Sequence, residues 1–275
     1  MRRPQTVVIT GAASGIGRET ALAFARQNAV LELLDIDASG LEAVVRDASA
    51  AGARAANASQ VDVADAERVR GFGSELEQRG VQPDVLINNA GVLVAGGFLE
   101  TELEDWRWIL QTNLLGVVHM TRALLPGMIA RRRGHVLNVA SAAAFWNPPP
   151  LTAYGASKYA LVGLSEALRE EMRPHGVRVT AVCPAFVVTP IVDHMRLRGS
   201  YAARDTRRLA RAYAEQRGVR AEVVGEAIVR ATERNVGVLP VGREAWALSW
   251  LKRLFPGILS RVAGASAELF SEQVR

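Results

Sequence analysis

The chain has 275 residues, of which 49% are hydrophobic and 22% are charged. This composition is that of an ordinary globular protein and excludes an intrinsically disordered chain. The net charge of +5 comes from arginines scattered along the chain, and this scatter argues against a nucleic-acid partner. No run of about 18 apolar residues is present, so the sequence predicts no membrane-spanning segment. Cys183 is the only cysteine, and no apolar leader precedes the first strand, so we expect a cytoplasmic protein.

Short apolar runs alternate with helical patterns along the chain. This alternation is typical of parallel strands joined by crossover helices, and runs that are apolar on both faces indicate a sheet covered on both sides. The predicted strands cover residues 6–10, 30–34, 56–61, 85–88, 134–139, 177–183 and 236–240. The predicted helices cover residues 16–27, 39–51, 66–78, 104–131, 153–173 and 221–233. The pattern predicts an α/β fold with a doubly wound parallel sheet of about seven strands, in one domain over residues 1–275.

A glycine-rich turn follows the first predicted strand. Residues 10–17 read TGAASGIG and lead directly into a helical pattern. Glycines let the backbone approach a pyrophosphate, and the helix start offers unpaired N–H groups with a partial positive charge. The predicted cofactor contacts in this turn are Gly11, Ser14, Gly15, Ile16 and Gly17. The alternative interpretation is a strand-to-helix turn without a ligand.

An acidic residue ends the second predicted strand. Asp35 follows the turn at close to the roughly 20-residue spacing at which a carboxylate meets the adenosine ribose hydroxyls. A carboxylate there accepts hydrogen bonds from both hydroxyls and repels a 2′-phosphate. Its neighbour Ile36 is also predicted to contact the cofactor, and neither Ile36 nor the turn residue Ser14 is basic. The sequence therefore predicts NAD as the cofactor, with NADP(H) as the alternative.

Tyr154 and Lys158 stand four residues apart in the segment YGASK, so a helix places both side chains on one face. Lys158 and Lys252 are the only lysines among 33 Lys and Arg residues, which makes a chance pairing improbable. A phenol titrates near pH 10, and a neighbouring ammonium lowers its pKa most when both groups are sheltered from water. We therefore expect a partly closed cleft in which Lys158 lowers the pKa of Tyr154.

These motifs together resemble the single-domain short-chain dehydrogenases/reductases, whose fold is Rossmann-type. The match runs from Thr6 to about Thr189 and includes Asp62-Val63, residues 88–91 (NNAG), Asn113, Ser141 and Tyr154 with Lys158. The resemblance implies a catalytic tetrad of Asn113, Ser141, Tyr154 and Lys158. It also implies cofactor contacts from Asp62, Val63, Asn89, Ala90, Gly91, Tyr154, Lys158, Pro184, Val187 and Thr189. Ala185 stands where the family usually has a glycine.

The activity that the resemblance implies is NAD(H)-dependent hydride transfer to or from a secondary alcohol or ketone, with Tyr154 as the acid/base. The alternatives are an NADP(H)-dependent ketoreductase, an epimerase or dehydratase on a related fold, and a catalytically inactive Rossmann-fold binding protein. The four histidines and Cys183 show no ligand spacing, so we expect no metal site.

Two segments bear on substrate and partners. Phe145, Trp146, Pro148, Leu151, Phe186 and a substrate segment at about 189–220 are predicted to line an apolar pocket for a lipophilic alcohol or ketone. The arginines of that segment are interpreted as a solvated helical lid. In a carboxyl-terminal extension at about 242–275, Trp246, Trp250 and Leu254 recur every four residues. This apolar stripe is predicted to close the core, to pack in a homo-oligomer with a dimer favoured over a tetramer, or to touch a membrane surface. The extension loosely resembles that of hydroxysteroid and retinol dehydrogenases.

Overall fold

The computed structural model describes residues 5–147, 149–202, 205–255 and 257. Seven parallel strands form the central sheet in the order β3-β2-β1-β4-β6-β7-β9, and β5 pairs with β8 in a separate two-stranded parallel sheet. The strands are β1 (Thr6–Thr10), β2 (Val30–Asp35), β3 (Ala55–Gln60), β4 (Val85–Asn88), β5 (Val94–Ala95), β6 (Gly134–Val139), β7 (Val177–Pro184), β8 (Arg196–Leu197) and β9 (Val238–Val241). All seven predicted strands are confirmed within two residues at each end, and the fold class with them.

The helices follow the predicted alternation. They are α1 (Gly15–Ala25), α2 (Ala38–Ala50), α3 (Ala66–Gln78), α4 (Leu103–Leu110), α5 (Gly116–Ala130), α6 (Thr152–Met172), α7 (Thr206–Arg217), α8 (Ala221–Thr232) and α9 (Arg243–Leu254). The prediction of one helix over 104–131 is wrong in one respect, because a π-helical stretch at Gln111–Leu115 separates α4 from α5. Such a stretch re-aims side chains within an otherwise regular helix, and it often marks a functional site.

Each face of the sheet packs against its own layer of helices. Val7 and Ile9 of β1 belong to a cluster that includes Phe24 of α1. Val8, between them in sequence, belongs to a second cluster that includes Phe72 of α3. The one-residue alternation sends neighbouring side chains to opposite faces. Both faces are apolar because both are covered, and burying one such side chain is worth about 1.5–3 kcal/mol.

The strand order changes direction between β1 and β4. From β1 the chain proceeds outward to β2 and β3, and then returns to place β4 on the other side of β1. In doubly wound sheets the cleft at such a reversal, beyond the carboxyl ends of the strands, is where ligands bind. The strand ends Thr10, Asp35, Asn88, Val139 and Pro184 all lie at this edge. Most of the predicted site residues stand at or just after these ends.

The single-domain organisation stays a prediction, since residues 258–275 of the extension lie outside the described part of the chain. Within the described ranges, none of the helices has both the length and the apolar character needed to cross a membrane.

Candidate active site

The glycine turn between β1 and α1 is built so tightly that two of its glycines cannot carry a side chain. Gly11 has a φ of 63°, and a Cβ placed on it would stand 2.8 Å from the Ala90 Cα. A Cβ on Gly17 would stand 2.0 Å from the Gly11 carbonyl oxygen. Ser14 is exposed, and its side chain makes no capping hydrogen bond to α1, whose first turn contains no acidic residue. This helix start therefore fits the pyrophosphate of a dinucleotide, which needs close backbone approach and N–H donors.

The side chain of Asn89, the residue after β4, holds the glycine turn through hydrogen bonds. The Asn89 Nδ2 donates hydrogen bonds to the carbonyls of Thr10 at 3.0 Å and Gly11 at 2.9 Å. The Thr10 hydroxyl accepts from the backbone amides of Asn89 and Ala90 at 3.0 and 3.1 Å. Thr10 was missed by sequence reasoning, because its role depends on a partner almost eighty residues away. Asn89 and Ala90 thus shape the turn in addition to their predicted place in the cofactor cleft.

Two backbone amides hold the side chain of Asp35 beside the glycine turn. Its carboxylate accepts the backbone amide of Ala13 at 2.9 Å and that of Asp37 at 3.1 Å. These bonds fix the carboxylate beside the turn and leave acceptor capacity on both oxygens. Ile36, the next residue, is 66% exposed. The carboxylate can therefore accept further hydrogen bonds from the hydroxyls of a bound ribose.

Asp62 and Val63, after β3, have different surroundings. Asp62 accepts the Ala64 amide at 2.9 Å and lines an open cavity of about 320 Å³. Val63 is buried, its side chain lies against Gly116, and its carbonyl accepts a hydrogen bond from His119 Nδ1 at 2.9 Å. The Val63 side chain therefore serves core packing, and its predicted cofactor contact would have to come from the main chain.

Asn113 lies fully buried in the π-helical stretch and joins three elements. Its Oδ1 accepts the Val92 amide at 2.8 Å, while its Nδ2 donates to the Val92 carbonyl at 3.0 Å and to the Ser157 hydroxyl at 3.1 Å. Ser157 in turn donates to the carbonyl of Tyr154 at 2.7 Å. This chain of bonds ties the π-helical stretch to the helix that carries Tyr154.

Tyr154, Lys158 and Ser141 come together at the cleft. The Lys158 Nζ donates to the Val139 carbonyl at 2.9 Å and lies 5.6 Å from the centroid of the Tyr154 ring. Ser141 stands two residues after the end of β6 and, besides its hydrogen bond to the Tyr154 side chain, accepts the Ala143 amide at 3.1 Å. Gly91 lies nearby, since a Cβ on it would stand 3.6 Å from the Lys158 Nζ. The structure therefore brings all four predicted tetrad members to one place.

The expected lowering of the Tyr154 pKa by Lys158 is wrong in this structure. Burial raises the pKa of Tyr154 above its ordinary value, and the hydrogen bond with Ser141 offsets only part of that rise. Burial also lowers the pKa of Lys158 to about 8. Burial penalises the charged form of both groups, and the ammonium is engaged by the Val139 carbonyl at a distance from the phenol. Tyr154 is therefore a protonated phenol at neutral pH.

The segment after β7 returns to the glycine turn. Thr189 contacts that turn, because a Cβ on Gly15 would stand 3.0 Å from its methyl group. Val187 forms a parallel bridge with Val219, and Pro184 ends β7 beside Val241 of β9. Of the three predicted residues, Pro184 ends β7, Val187 pairs with Val219, and Thr189 contacts the glycine turn.

An apolar cluster surrounds one side of Tyr154. It contains Leu93, Val192 and Met195, all buried, with Leu151 and Phe186 at its edge. Phe145 does not belong to it and packs instead with Leu161 and Ala245, so its predicted place in the pocket is wrong. Phe145 directly follows the short helix Ala142–Ala144, and Ala142 of that helix belongs to the same cluster as Phe145. Trp146 is half-buried, and Pro148 lies outside the described residues.

A buried acid holds the substrate segment in place, and sequence reasoning missed it. Asp105 of α4 is fully buried and accepts from Arg198 Nε at 2.6 Å, Arg198 Nη2 at 2.8 Å and Arg196 Nη1 at 3.2 Å. The Arg198 guanidinium holds the pKa of Asp105 below its ordinary value. Arg196 also lies 3.9 Å over the ring of Trp108. The interpretation of all these arginines as a solvated lid is therefore wrong for Arg196 and Arg198.

The apolar stripe of the extension does not close the core of its own chain. Trp246, Trp250 and Leu254 are about half exposed, whereas Ala245 and Leu248 on the other side of α9 pack against the body of the protein. The prediction that the stripe completes the core is wrong. The remainder of the extension, 258–275, lies outside the described residues.

Cys183 is buried, and burial raises the pKa of its thiol to about 12, in line with a packing residue. Among the residues that the structure describes, no three His, Cys, Asp or Glu side chains are grouped as metal ligands would be.

The comparisons with known proteins agree with this geometry. The family described as short chain dehydrogenase matches residues 5–198, a range that includes the glycine turn, Tyr154 and the start of the substrate segment. The chain belongs to the short-chain dehydrogenase/reductase family. Members of this family are oxidoreductases that use nicotinamide cofactors. The fold and the nucleotide-binding edge described above are those of this family.

Two relatives come from Mycobacterium tuberculosis. The probable oxidoreductase EphD is 37% identical over 271 residues, which cover 94% of this chain but 44% of EphD, so the chain spans less than half of that relative. The putative oxidoreductase SadH is 32% identical over 269 residues, which cover 97% of this chain and 96% of SadH.

Two solved structures are similar in fold. A short-chain dehydrogenase/reductase from Burkholderia phymatum in complex with NAD has a TM-score of 0.81 and 31% identity, covering 91% of this chain and 93% of its own. Levodione reductase has a TM-score of 0.78 and 25% identity, covering 88% of this chain and 98% of its own.

Proposed function

We propose that this protein transfers hydride between NAD(H) and a lipophilic secondary alcohol or ketone, with Tyr154 as the acid/base. The observation that carries the proposal is the cluster of Tyr154, Ser141 and Lys158 in the cleft beyond the carboxyl ends of the strands. The nicotinamide supplies or accepts the hydride, and the side chains of this chain handle the proton.

The state of Tyr154 suits it to donate a proton to a carbonyl oxygen. Reduction of a ketone needs one proton at that oxygen, and a positioned general acid contributes about 10²–10⁴-fold to such a step. Because burial raises the pKa of Tyr154, the phenol carries its proton at neutral pH. Ser141 hydrogen-bonds the Tyr154 side chain and would hold the same substrate oxygen. The tyrosine therefore works as an acid in reduction and, after losing its proton, as a base in oxidation.

Lys158 stabilises the phenolate that proton transfer leaves behind. Its pKa of about 8 keeps most of the ammonium charged at neutral pH. At about 4 Å, an ammonium and a phenolate attract each other by about 4 kcal/mol at an effective dielectric of ~20, but by only about 1 kcal/mol in water. The attraction therefore stabilises the phenolate most when water is excluded from the cleft, and Lys158 and Tyr154 are both buried there.

Asn113 acts in this proposal as a positioning residue for Tyr154. Through the Ser157 hydroxyl it holds the carbonyl of Tyr154, and through Val92 it holds the chain after Gly91. A tyrosine one position out of register would miss the substrate oxygen. The buried amide thus sets the place from which the proton leaves.

Asp35 supports NAD over NADP. Its fixed carboxylate would repel a 2′-phosphate, and the exposed Ile36 offers such a phosphate no charge partner. The similar structure from Burkholderia phymatum is a complex with NAD. Replacing Asp35→Ala together with Ile36→Arg should move the ratio of kcat/KM values for the two coenzymes toward NADP. Equal kcat/KM values for NAD⁺ and NADP⁺ in the unmodified protein would contradict the preference for NAD, and a higher value for NADP⁺ would identify the NADP(H)-dependent ketoreductase.

The lipophilic substrate is inferred from the cluster of Leu93, Leu151, Phe186, Val192 and Met195 around Tyr154. An apolar wall favours a long-chain or ring-bearing alcohol over a small polar one. A homo-oligomer and a cytoplasmic location stay predictions beside this proposal.

The decisive experiment offers the purified chain NAD⁺ with secondary alcohols graded from propan-2-ol to bicyclic alcohols, while NADH absorbance is followed. We expect kcat/KM to rise with apolar size. NADH binding without turnover of any alcohol or ketone would identify an inactive binding protein. Conversion of substrate without net NADH formation would identify an epimerase or dehydratase.

A further inference from the structure

The last described helix, α9, presents an exposed face of aromatic, aliphatic and basic side chains. Trp246, Trp250 and Leu254 are 49%, 54% and 56% exposed and follow one another at four-residue intervals. Arg243 and Arg253 are also exposed and, at 100° per residue, fall on the same side of the helix. This set of five residues is called the α9 face below.

The opposite side of α9 is anchored, so the orientation of the α9 face is set by the fold. Ala245 is fully buried and packs in one cluster with Ala142 and Phe145. The Lys252 Nζ donates to the carbonyl of Ala144 at 2.8 Å and lies 3.7 Å over the ring of Tyr159. Rotation of the helix to bury the tryptophans would break these contacts. The exposed stripe is therefore a fixed feature of the surface.

The chemistry of the α9 face matches the boundary between lipid headgroups and acyl chains. Tryptophan combines a large apolar ring with one N–H donor, and it concentrates at membrane–water interfaces for that reason. Arginines on the same face can bind lipid phosphates. Helices that lie in the membrane plane combine these residue types in the same way.

Charge distinguishes a lipid surface from a second copy of the chain. The α9 face carries two arginines and no acidic residue, since Glu244 lies about 100° from Arg243 around the helix. Two copies related by a two-fold axis would bring arginines toward arginines. An anionic bilayer complements the same charges. We propose that the α9 face docks this protein on anionic lipid membranes, with Trp246, Trp250 and Leu254 at the headgroup boundary and Arg243 and Arg253 on phosphates.

The proposal is independent of the reaction proposed above, because docking needs no substrate or cofactor. The test uses the full chain and sedimentation with vesicles of phosphatidylcholine, with and without roughly one third phosphatidylglycerol. We expect at least about tenfold stronger binding to the anionic vesicles, decreasing as salt rises. Tryptophan fluorescence should shift to the blue on binding, because the exposed indoles leave water.

Two variants probe the two parts of the α9 face. Trp246→Ser with Trp250→Ser should weaken binding to anionic vesicles at least about tenfold, since the apolar anchors are lost. Arg243→Gln with Arg253→Gln should remove most of the preference for anionic over neutral vesicles. The matched control is Phe98→Ser with Leu99→Ser, which changes two residues that are 63% and 95% exposed elsewhere. The control should bind vesicles as the unmodified chain does. Far-ultraviolet circular dichroism and NADH binding verify that each variant is folded.

Three results would overturn the proposal. One is the absence of binding to anionic vesicles at low salt. Another is equal binding by the double tryptophan variant and the unmodified chain. The third is a dimer in light scattering that this variant dissociates, without vesicle binding by either protein, which would identify a second copy as the occupant of the α9 face.

Discussion

The glycine turn and the substrate segment 189–220 are held to the rest of the protein by different contacts. In the turn, main-chain atoms pack directly against one another. Gly17, for example, leaves no room for a Cβ beside the Gly11 carbonyl. The substrate segment is joined through the two-residue strand β8 and through the side chains of Arg196 and Arg198 on Asp105. Close main-chain packing dominates in the turn, where Asn89 and Thr10 add side-chain hydrogen bonds, whereas the segment depends on one short strand and a few side-chain bonds.

This difference explains which residues each region tolerates. A steric requirement at the turn admits only glycine, so the requirement is visible in the residue type itself. An ion pair, in contrast, can form between residues at many different places in a chain. Here the partners lie more than ninety positions apart. The turn therefore suits a cofactor with an unvarying pyrophosphate, whereas the segment can vary with the substrate.

The largest expected effect comes from changing Tyr154, which stands between the glycine turn and the substrate segment. Tyr154→Phe should lower kcat by roughly 10²–10⁴-fold, because the ring still packs but no proton can be transferred. The dissociation constant of NADH should stay within about twofold, since the turn is untouched. Stopped-flow turnover and NADH fluorescence titration measure the two quantities.

The matched control for that variant is Tyr159→Phe. Tyr159 is on the same helix, and its hydroxyl donates to the Phe145 carbonyl at 3.0 Å. Losing that bond should cost about 1 kcal/mol of stability and leave kcat nearly unchanged. A Tyr154→Phe enzyme with more than about a tenth of the original kcat would show that another group transfers the proton.

Acid should destabilise the sheet that carries both regions, through His135 of β6. Burial lowers the pKa of His135 to about 3, helped by the charges of Arg178 and Arg169. Because Thr180 donates to the Val236 carbonyl at 2.6 Å, His135 Nε2 must be the donor to Thr180 at 2.8 Å. Nδ1 then stays unprotonated and has no hydrogen-bond partner in the structure.

The sign of the pH dependence follows from that lowered pKa. Below about pH 6.5, His135 binds a proton in the unfolded chain but not in the folded chain. The free energy of unfolding therefore falls as the pH drops toward 3. From this group alone the free energy of unfolding should fall by roughly 4 kcal/mol between pH 6 and 3, at about 1.36 kcal/mol per unit. Urea unfolding at a series of pH values measures this slope. His135→Gln should flatten the slope, and an unchanged slope would contradict the assignment to His135.

A methyl group in the turn tests how strictly main-chain geometry holds the first region. Gly17→Ala should cost about 1–3 kcal/mol of stability, as overpacking of a tight site does, and should weaken NADH binding more than the binding of a small substrate. Gly163→Ala is the control, because its Cβ would meet no atom within 4 Å. In the exposed face of α6 that control should gain about 0.5–1 kcal/mol. Thermal unfolding and NADH titration measure stability and cofactor binding in both variants. Equal stability and equal NADH affinity of the two variants would contradict a strict main-chain requirement at the turn.

The smallest expected effect concerns the ion pairs of the second region. Asp105→Asn keeps the shape but removes the charge that holds Arg196 and Arg198, so Met195 and its neighbours should lose their fixed place beside Tyr154. We expect KM for the alcohol to rise several-fold, or roughly 1 kcal/mol after solvent screening of the part-exposed arginines, with NADH affinity unchanged. Glu226→Gln, which breaks the exposed pair with Arg230, should change neither constant. If Asp105→Asn weakened NADH binding by the same factor by which it raised KM for the alcohol, the glycine turn and the substrate segment would be structurally coupled.

Much of the fold was predictable because its signals are local. Runs such as Val7–Ile9 are apolar on both faces only in a covered parallel sheet, and helix α3 begins where the Asp65 side chain caps it. The interruption of α4 and α5 at Gln111–Leu115 could not be predicted, because its residues have ordinary helical propensity. The buried partners of Asn113 decide the local geometry there.

The candidate site shows the same division. The spacing of Tyr154 and Lys158 placed both on one helix face, and the family resemblance supplied Ser141 and Asn113. The direction of the Tyr154 pKa was predicted wrongly, because a pair of residue types does not reveal how much water either group loses. Phe145 was misplaced for a similar reason, since an apolar residue near the cleft packs wherever space is available.

By itself, the sequence determined the sheet, the glycine turn, Asp35 and the Tyr154–Lys158 pair, since each follows from residue type and short-range spacing. Only the tertiary structure decided that Asp105 binds Arg196 and Arg198, that α9 turns Trp246 and Trp250 outward, and that burial dominates the pKa of Tyr154. These features depend on which distant residues share a surface and on how far water is excluded from it. Period and spacing along a chain carry information about faces of single elements, whereas desolvation and long-range pairing arise only when the elements pack.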